Sequence, residues 1–234
     1  MQQKIKRFYK QVAAAPAEGG YAVELDGRAV RTPAKAPLVV PSRALAEAVA
    51  AEWQGQGEDV LPQAMALNSL VCTAIDIVAP HRPAIVEEVA SYGSHDLLCH
   101  WTDETGELLR RQQRLWQPLL DWAAEELRAP LKKTCGIISQ PQSPESLEAL
   151  KLAVEEHSDL ELTGLAAAVK AAGSLLVGLA LSKGRIDAAQ AVALSQLDEL
   201  YQAEKWGTDA EASEQRANLA RELEDAALLF DLIR

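Results

Sequence analysis

The sequence predicts an α+β protein: a small N-terminal antiparallel β-rich domain covered by a helix (residues 1–80), followed by a larger all-helical domain (residues 81–234). Three observations predict it. Apolar residues alternate at the strand period only within the first forty positions. Helix-start signals appear from Pro41 onward. Beyond Pro80 the helical pattern runs almost to the end, and the change there marks the boundary.

In the first domain, Tyr21, Val23 and Leu25 alternate with Ala22 and Glu24, which reads as a strand. Asp26-Gly27 marks a tight turn, and Ala29 to Arg31 forms the return strand. Pro33 and Pro37 limit the next segment to short or edge strand, ending in the apolar run Leu38-Val39-Val40. So small a sheet must cover its apolar face. The cover is a helix with Ser42 as N-cap, Leu45, Val49 and Trp53 on one face, and Gly55 and Gly57 as its stop. On that spacing Trp53 lies under the sheet.

In the second domain, Pro83 suits the first turn of a helix reaching about Leu98. From Thr105 to Leu127 two apolar rows, one through Leu115 and Trp122 and one through Trp116 and Ala123, predict a broadly buried helix. Pro118 should kink it near Gln117. Leu131 to Gln142 reads as an extended connector, and Ser143-Pro144 as the next helix start. The last two helices open with capping boxes at Asp187 and Thr208. The first presents Ala189, Val192, Ala193, Leu197 and Leu200 inward; the second presents Leu219, Leu223, Ala226 and Phe230. Gly184 and Gly207 stand where C-caps belong.

Charge and composition exclude several function classes. Thirty-four acids against 23 bases give a net charge of −11, which argues against a nucleic-acid partner. The basic cluster Lys4, Lys6, Arg7 and Lys10 reads as a solvated chain end. The apolar run Leu160–Leu181 is long enough to span a bilayer, but Lys170 sits near its middle. It reads as a buried helix, with no membrane insertion. Three widely spaced cysteines, Cys72, Cys99 and Cys135, suit a reducing compartment. The first twenty residues carry neither a secretory apolar core nor a long Arg- and Ser-rich presequence. The expected location is therefore the cytoplasm of a bacterium, or the mitochondrial matrix for a processed organellar form.

Catalytic motifs are scarce. Gly173 and Gly178 have Walker-A spacing without the following lysine, so they read as helix packing. His95, Asp96, Cys99 and His100 cluster, and on a helix His95 and Cys99 would share a face. That region supports an alternative reading, a small cytosolic hydrolase using His95 to His100. Adjacent acids such as Asp198-Glu199 read as a solvated helix face.

Ordered blocks along the chain carry a resemblance. They are Arg7-Phe8-Tyr9-Lys10, Gly19-Gly20-Tyr21 through Gly27-Arg28, Glu52-Trp53, Asp96-Leu97-Leu98-Cys99, Trp116 through Trp122-Ala123, and Gln190 through Trp206-Gly207. Together they resemble the chaperone family that escorts the alpha subunit during assembly of the F-type ATP synthase catalytic head. The resemblance implies a β-rich N-terminal domain and a helical C-terminal one. It implies binding of the unassembled alpha subunit at a surface that the beta subunit later takes, with no enzyme activity, no ATP use and no cofactor. It implies that an acidic position in the Leu197–Tyr201 block is sensitive, which singles out Asp198 and Glu199, and that Trp53 is another sensitive position. Glu204 and Trp206, on the same stretch, join them as candidate contacts; packing between the last two helices is the plainer role for Trp206. His100-Trp101, where eukaryotic members have Tyr-Arg, points to a bacterial member.

Overall fold

The computed structural model describes residues 5–135, 140–207 and 210–234. The chain divides into two compact units. The first holds residues 1–82 with 159–164 and 228–234; the second holds 83–158 with 165–227. The two returning segments of the first unit could not be read from contiguous sequence patterns.

The first unit is built on a four-stranded antiparallel sheet. β1 (Ile5–Lys6) lies apart from it and pairs with β6 (Asp59–Val60). Within the sheet, β3 (Gly20–Leu25) is central, with β2 (Val12–Ala17) on one side and β4 (Arg28–Ala29) and β5 (Val39–Val40) on the other. The Asp26-Gly27 turn closes β3 onto β4 with both residues at positive φ, 50° and 77°, the backbone that an Asp-Gly pair tolerates best. Asp26 also accepts the Lys10 and Gln11 amides, which hold its carboxyl below the usual carboxylate range. β2 went unread in the sequence because VAAAPA offers no apolar alternation, and Pro16 is tolerated only because the strand lies at an edge.

α1 (Arg43–Gln54) covers this sheet, with Ser42 accepting the Leu45 amide as expected of an N-cap. Leu45 and Val49 are fully buried against Val23 and Val40, each such side chain stabilising by about 1.5–3 kcal/mol. Leu229, from the last helix, completes this core.

α2 (Ala66–Thr73), a π-turn (Ala74–Val78) and α3 (Ala79–Ser91) run in succession, with a kink at His81 just before Pro83. Among the described residues, the helical stretch from Ala66 is long and apolar enough to cross a membrane by length and composition. Leu67, Val71, Ala74 and Val78 are buried along it, and 22% of the apolar window lies inside the structure. The helix expected to reach Leu98 stops at Ser91. Tight 3-10 turns at Tyr92–Ser94 and Leu97–Cys99 replace its last part, because Asp96 takes extended backbone and caps the Leu98 amide.

In the second unit, β7 (His100–Trp101) pairs in parallel with β8 (Thr134–Cys135), inside the expected extended connector. α4 (Glu107–Leu115) and α5 (Gln117–Glu125) are two helices broken at Trp116, one residue before the kink that Pro118 predicts. α6 (Pro144–Glu155) starts on Ser143 as read.

The apolar run Leu160–Leu181 is not one helix. α7 (Asp159–Ala172) and α8 (Leu175–Ser182) are separated by Gly173 at φ 64° and by Ser174, which caps α8. Gly178 packs α8 onto α7, where a Cβ would lie 2.5 Å from Val169 Cγ2. Lys170 is exposed.

α9 (Ala188–Ser195) carries the Asp187–Gln190 capping box with both bonds formed. It turns Ala191, Leu194 and Ser195 inward and leaves Ala189 and Ala193 exposed, a correction to the expected face. The cause is a break at Gln196 that separates it from α10 (Leu197–Trp206), so one helical register does not run through both. α11 (Ala210–Ile233) buries Leu223, Ala226 and Phe230 as expected; the N-cap of its expected Thr208–Glu211 capping box, Thr208, lies outside the described residues.

Candidate partner-binding surface

α10 is thinly covered: of its ten residues only Leu197 is buried. Gly207, at φ 86°, ends it, and its amide closes on the Ala203 carbonyl. A helix so little covered stays in place through polar ties to α4, since burial alone gives it little.

Two such ties exist. Gln112 of α4 is fully buried and donates through Nε2 to Asp198 Oδ1 at 3.1 Å, while its Oε1 accepts the Thr102 amide. Asp198 is half-buried. Burial pushes its carboxyl above the usual range, the Gln112 bond opposes that, and neighbouring Glu199 adds to the rise. Arg111 makes the second tie. Its guanidinium meets both Glu204 oxygens, at 2.9 and 2.8 Å, and its Nε reaches Glu107 at 3.3 Å. Arg111 holds the Glu204 carboxyl below its ordinary range, and Arg110 together with Arg111 does the same for Glu107. The Tyr201 ring lies under both Arg111 and Lys205, 5.4 and 4.4 Å from its centre.

Glu199 and Trp206 remain. They sit seven residues apart, two helical turns, so they share one face. Glu199 is exposed, and Trp206 is 75% exposed. The expected packing role for Trp206 between helices is therefore corrected: its side chain stands in solvent, beyond the last buried turn of α10. The structure thus brings Asp198 and Glu204 onto α4, and leaves Glu199 and Trp206 outward.

Trp53 lies elsewhere, in the first unit. It is partly buried, packed against the core that holds Val23 and Leu25 of the sheet, and its indole Nε1 donates to Asn68 Oδ1 at 2.9 Å. Its carbonyl accepts the Tyr9 hydroxyl at 2.7 Å. Glu52, beside it, accepts the Leu67 and Asn68 amides, both at 2.8 Å, at the start of α2. The Glu52-Trp53 pair is thus a clamp on the N-terminus of α2, which has no side-chain cap at Met65.

The hydrolase constellation does not assemble. Without the helix, His95 and Cys99 share no face; His95 is exposed beside Ser94, and His100 is exposed on β7. Cys99 is buried, its thiol pushed up to about 12 by burial and by Asp96, which leaves almost no thiolate near neutrality. Asp96 is fully buried. It accepts from the Ser174 hydroxyl at 2.7 Å and from the Leu98 and Leu176 amides at 3.0 Å, joining the 3-10 turn to the start of α8. Burial pushes its carboxyl up against the pull of these donors. Among the described residues, no three His, Cys, Asp or Glu side chains group as metal ligands.

Sequence reasoning missed Arg111, Gln112, Glu52 and Asn68. The Glu107–Arg111 spacing of four was a visible signal; pairings to residues 86 and 93 positions away were not.

The family model described as ATP12 chaperone protein matches residues 6–124. The crystal structure of Atp12 from Paracoccus denitrificans is 44% identical and superposes with a TM-score of 0.94, over 98% of this chain and 99% of that one. An aspartate-to-lysine variant of the Paracoccus protein superposes equally well, over 98% of each chain. Protein atp12, mitochondrial, from Schizosaccharomyces pombe is 27% identical over 241 residues, 97% of this chain and 83% of that protein.

Proposed function

The chain belongs to the ATP12 chaperone family, and from that premise we propose that it binds the unassembled alpha subunit of the F-type ATP synthase catalytic head until the beta subunit joins, and that it does so without catalysis. The observation that carries this reading is the exposed Trp206 on the same face of acidic α10 as the exposed Glu199.

An orphaned subunit exposes apolar surface that its neighbour normally covers, and such surface drives aggregation. An escort needs an aromatic anchor for that patch and charges that set orientation while still permitting release. In this reading Trp206 is the anchor and Glu199 meets client cations. Asp198 and Glu204 fix the helix on Gln112 and Arg111, and their outward edges add negative potential at the rim. An interface of about 1,200–2,000 Å² would serve. The structure of the aspartate-to-lysine relative supports the use of charge reversal as a probe, since the architecture tolerates one such change. A bacterial cytoplasm is the location this reading expects, with the mitochondrial matrix as the organellar counterpart.

The test is the double variant Glu199→Lys with Trp206→Ala. Both side chains are exposed, so the thermal midpoint should move little. Capture of co-expressed alpha subunit should fall about tenfold or more, as loss of one aromatic hot spot and one complementary charge implies. Capture within about twofold of the parent protein would remove α10 as the client surface.

A further inference from the structure

The first unit carries an apolar groove that the α10 surface does not involve. Phe8 is 70% exposed, with its ring edge-on to Tyr9 and otherwise uncovered. A large aromatic left in solvent beside apolar walls marks a contact surface more often than a lone exposed leucine does. On one side of Phe8 is a groove of about 450 Å³, walled by Trp53, Val60, Pro62, Met65 and Cys72. On the other is one of about 490 Å³, reaching Arg28 and Val30. Phe8, Arg31 and Trp53 line both.

The charge of this region opposes that of the rest of the molecule. Residues 1–41 hold seven Lys and Arg against three Asp and Glu, in a chain of net charge −11. Among the described residues, Arg31 is the one charged residue lining the first groove. Among them too, neither Arg28 nor Arg31 has a carboxylate within 4.0 Å; Arg31 donates only to the Lys35 carbonyl. The nearby acids are engaged. Asp76 accepts the Thr32 hydroxyl and the Ala34 amide; Asp26, which borders the second groove, accepts two backbone amides and feels the charge of Arg28. Among the described residues, this leaves Arg31 as the cation facing the first groove with no nearby carboxylate.

We propose that the paired groove astride Phe8, rimmed by Arg28 and Arg31, docks an extended client segment that carries a large apolar side chain next to a carboxylate. The apolar side chain enters beside Phe8 and Trp53, and the carboxylate meets Arg31 in a bidentate pair. The site rests on the chaperone reading for its client but not on α10 or on the client's identity. It gives the escort two chemically distinct contacts, an acidic one on α10 and a cationic one here, on an otherwise acidic protein.

The test uses two short fluorescein-labelled peptides and the full chain, read by fluorescence anisotropy. One has a central Leu-Phe flanked by aspartates; the other has the same centre flanked by lysines. The aspartate peptide should bind about tenfold tighter. Phe8→Ala should weaken it about tenfold, and Arg28→Glu with Arg31→Glu should erase the preference for acid. Leu152→Ala, at an exposed apolar residue of α6, should change nothing. Equal binding of both peptides, no binding of either, or indifference to Phe8→Ala would overturn the proposal. So would a dimer that Phe8→Ala dissociates while peptides fail to bind, which would make the occupant a second copy. No alpha subunit enters this assay, so its outcome and that of the α10 variant are read separately.

Discussion

Replacing Asp96 with alanine is expected to destabilise the second unit by about 3–5 kcal/mol. The carboxylate is fully buried, and every contact it makes is with a donor: the Leu98 and Leu176 amides and the Ser174 hydroxyl. Alanine would strand these groups away from water, at about 1–3 kcal/mol for each unsatisfied one. Ser174 is also the cap of α8, so the loss spreads to the helix that buries every residue from Leu175 to Leu181. Asparagine keeps the volume but sets an NH2 group against a donor, so Asp96→Asn should fall between alanine and the parent protein. Urea unfolding monitored by circular dichroism measures both. An unfolding free energy for Asp96→Ala within about 1 kcal/mol of the parent protein's would show that the carboxylate is not what joins these segments.

The second large effect is expected at the Glu52-Trp53 clamp. Trp53→Ala should cost about 3 kcal/mol or more, from lost packing at the core rim and from the orphaned Asn68 carbonyl oxygen. Glu52→Ala should cost about 1–2 kcal/mol, because the first amides of α2 have no other side-chain cap. The effects should not add, since both residues hold the same helix start. Trp53→Phe keeps most of the ring while removing the indole donor, so it should recover most of the stability. If client capture tracks stability through this series, the sensitivity of Trp53 is structural. If Trp53→Phe is stable but fails to bind either client or peptide, its groove-lining face is the part that matters.

These residues also show what the sequence can and cannot disclose. Ser42, Ser143 and the Asp187–Gln190 box were legible because capping is local chemistry, settled within four residues. The β3–β4 turn was legible for the same reason, as was the break before Pro118. The end of α3 was not, because Asp96 draws its partners from Ser174 and Leu176, about eighty residues on. Nor was the face of α9, which depends on a break at Gln196 that no proline or glycine announces. For the candidate surface, the sequence supplied the acidic residues and the aromatic. Only the structure showed that Asp198 and Glu204 are tied to α4 while Glu199 and Trp206 are open. Several blocks that carry the family resemblance, Glu52-Trp53 and Asp96-Leu97-Leu98-Cys99 among them, turn out to hold the fold together.

The most direct measurement is the solubility of the alpha subunit expressed by itself, with and without this chain, and then after addition of beta. The account predicts several times more soluble alpha in its presence, eluting as a complex that beta then dissolves. Alpha that precipitates to the same extent either way would contradict it.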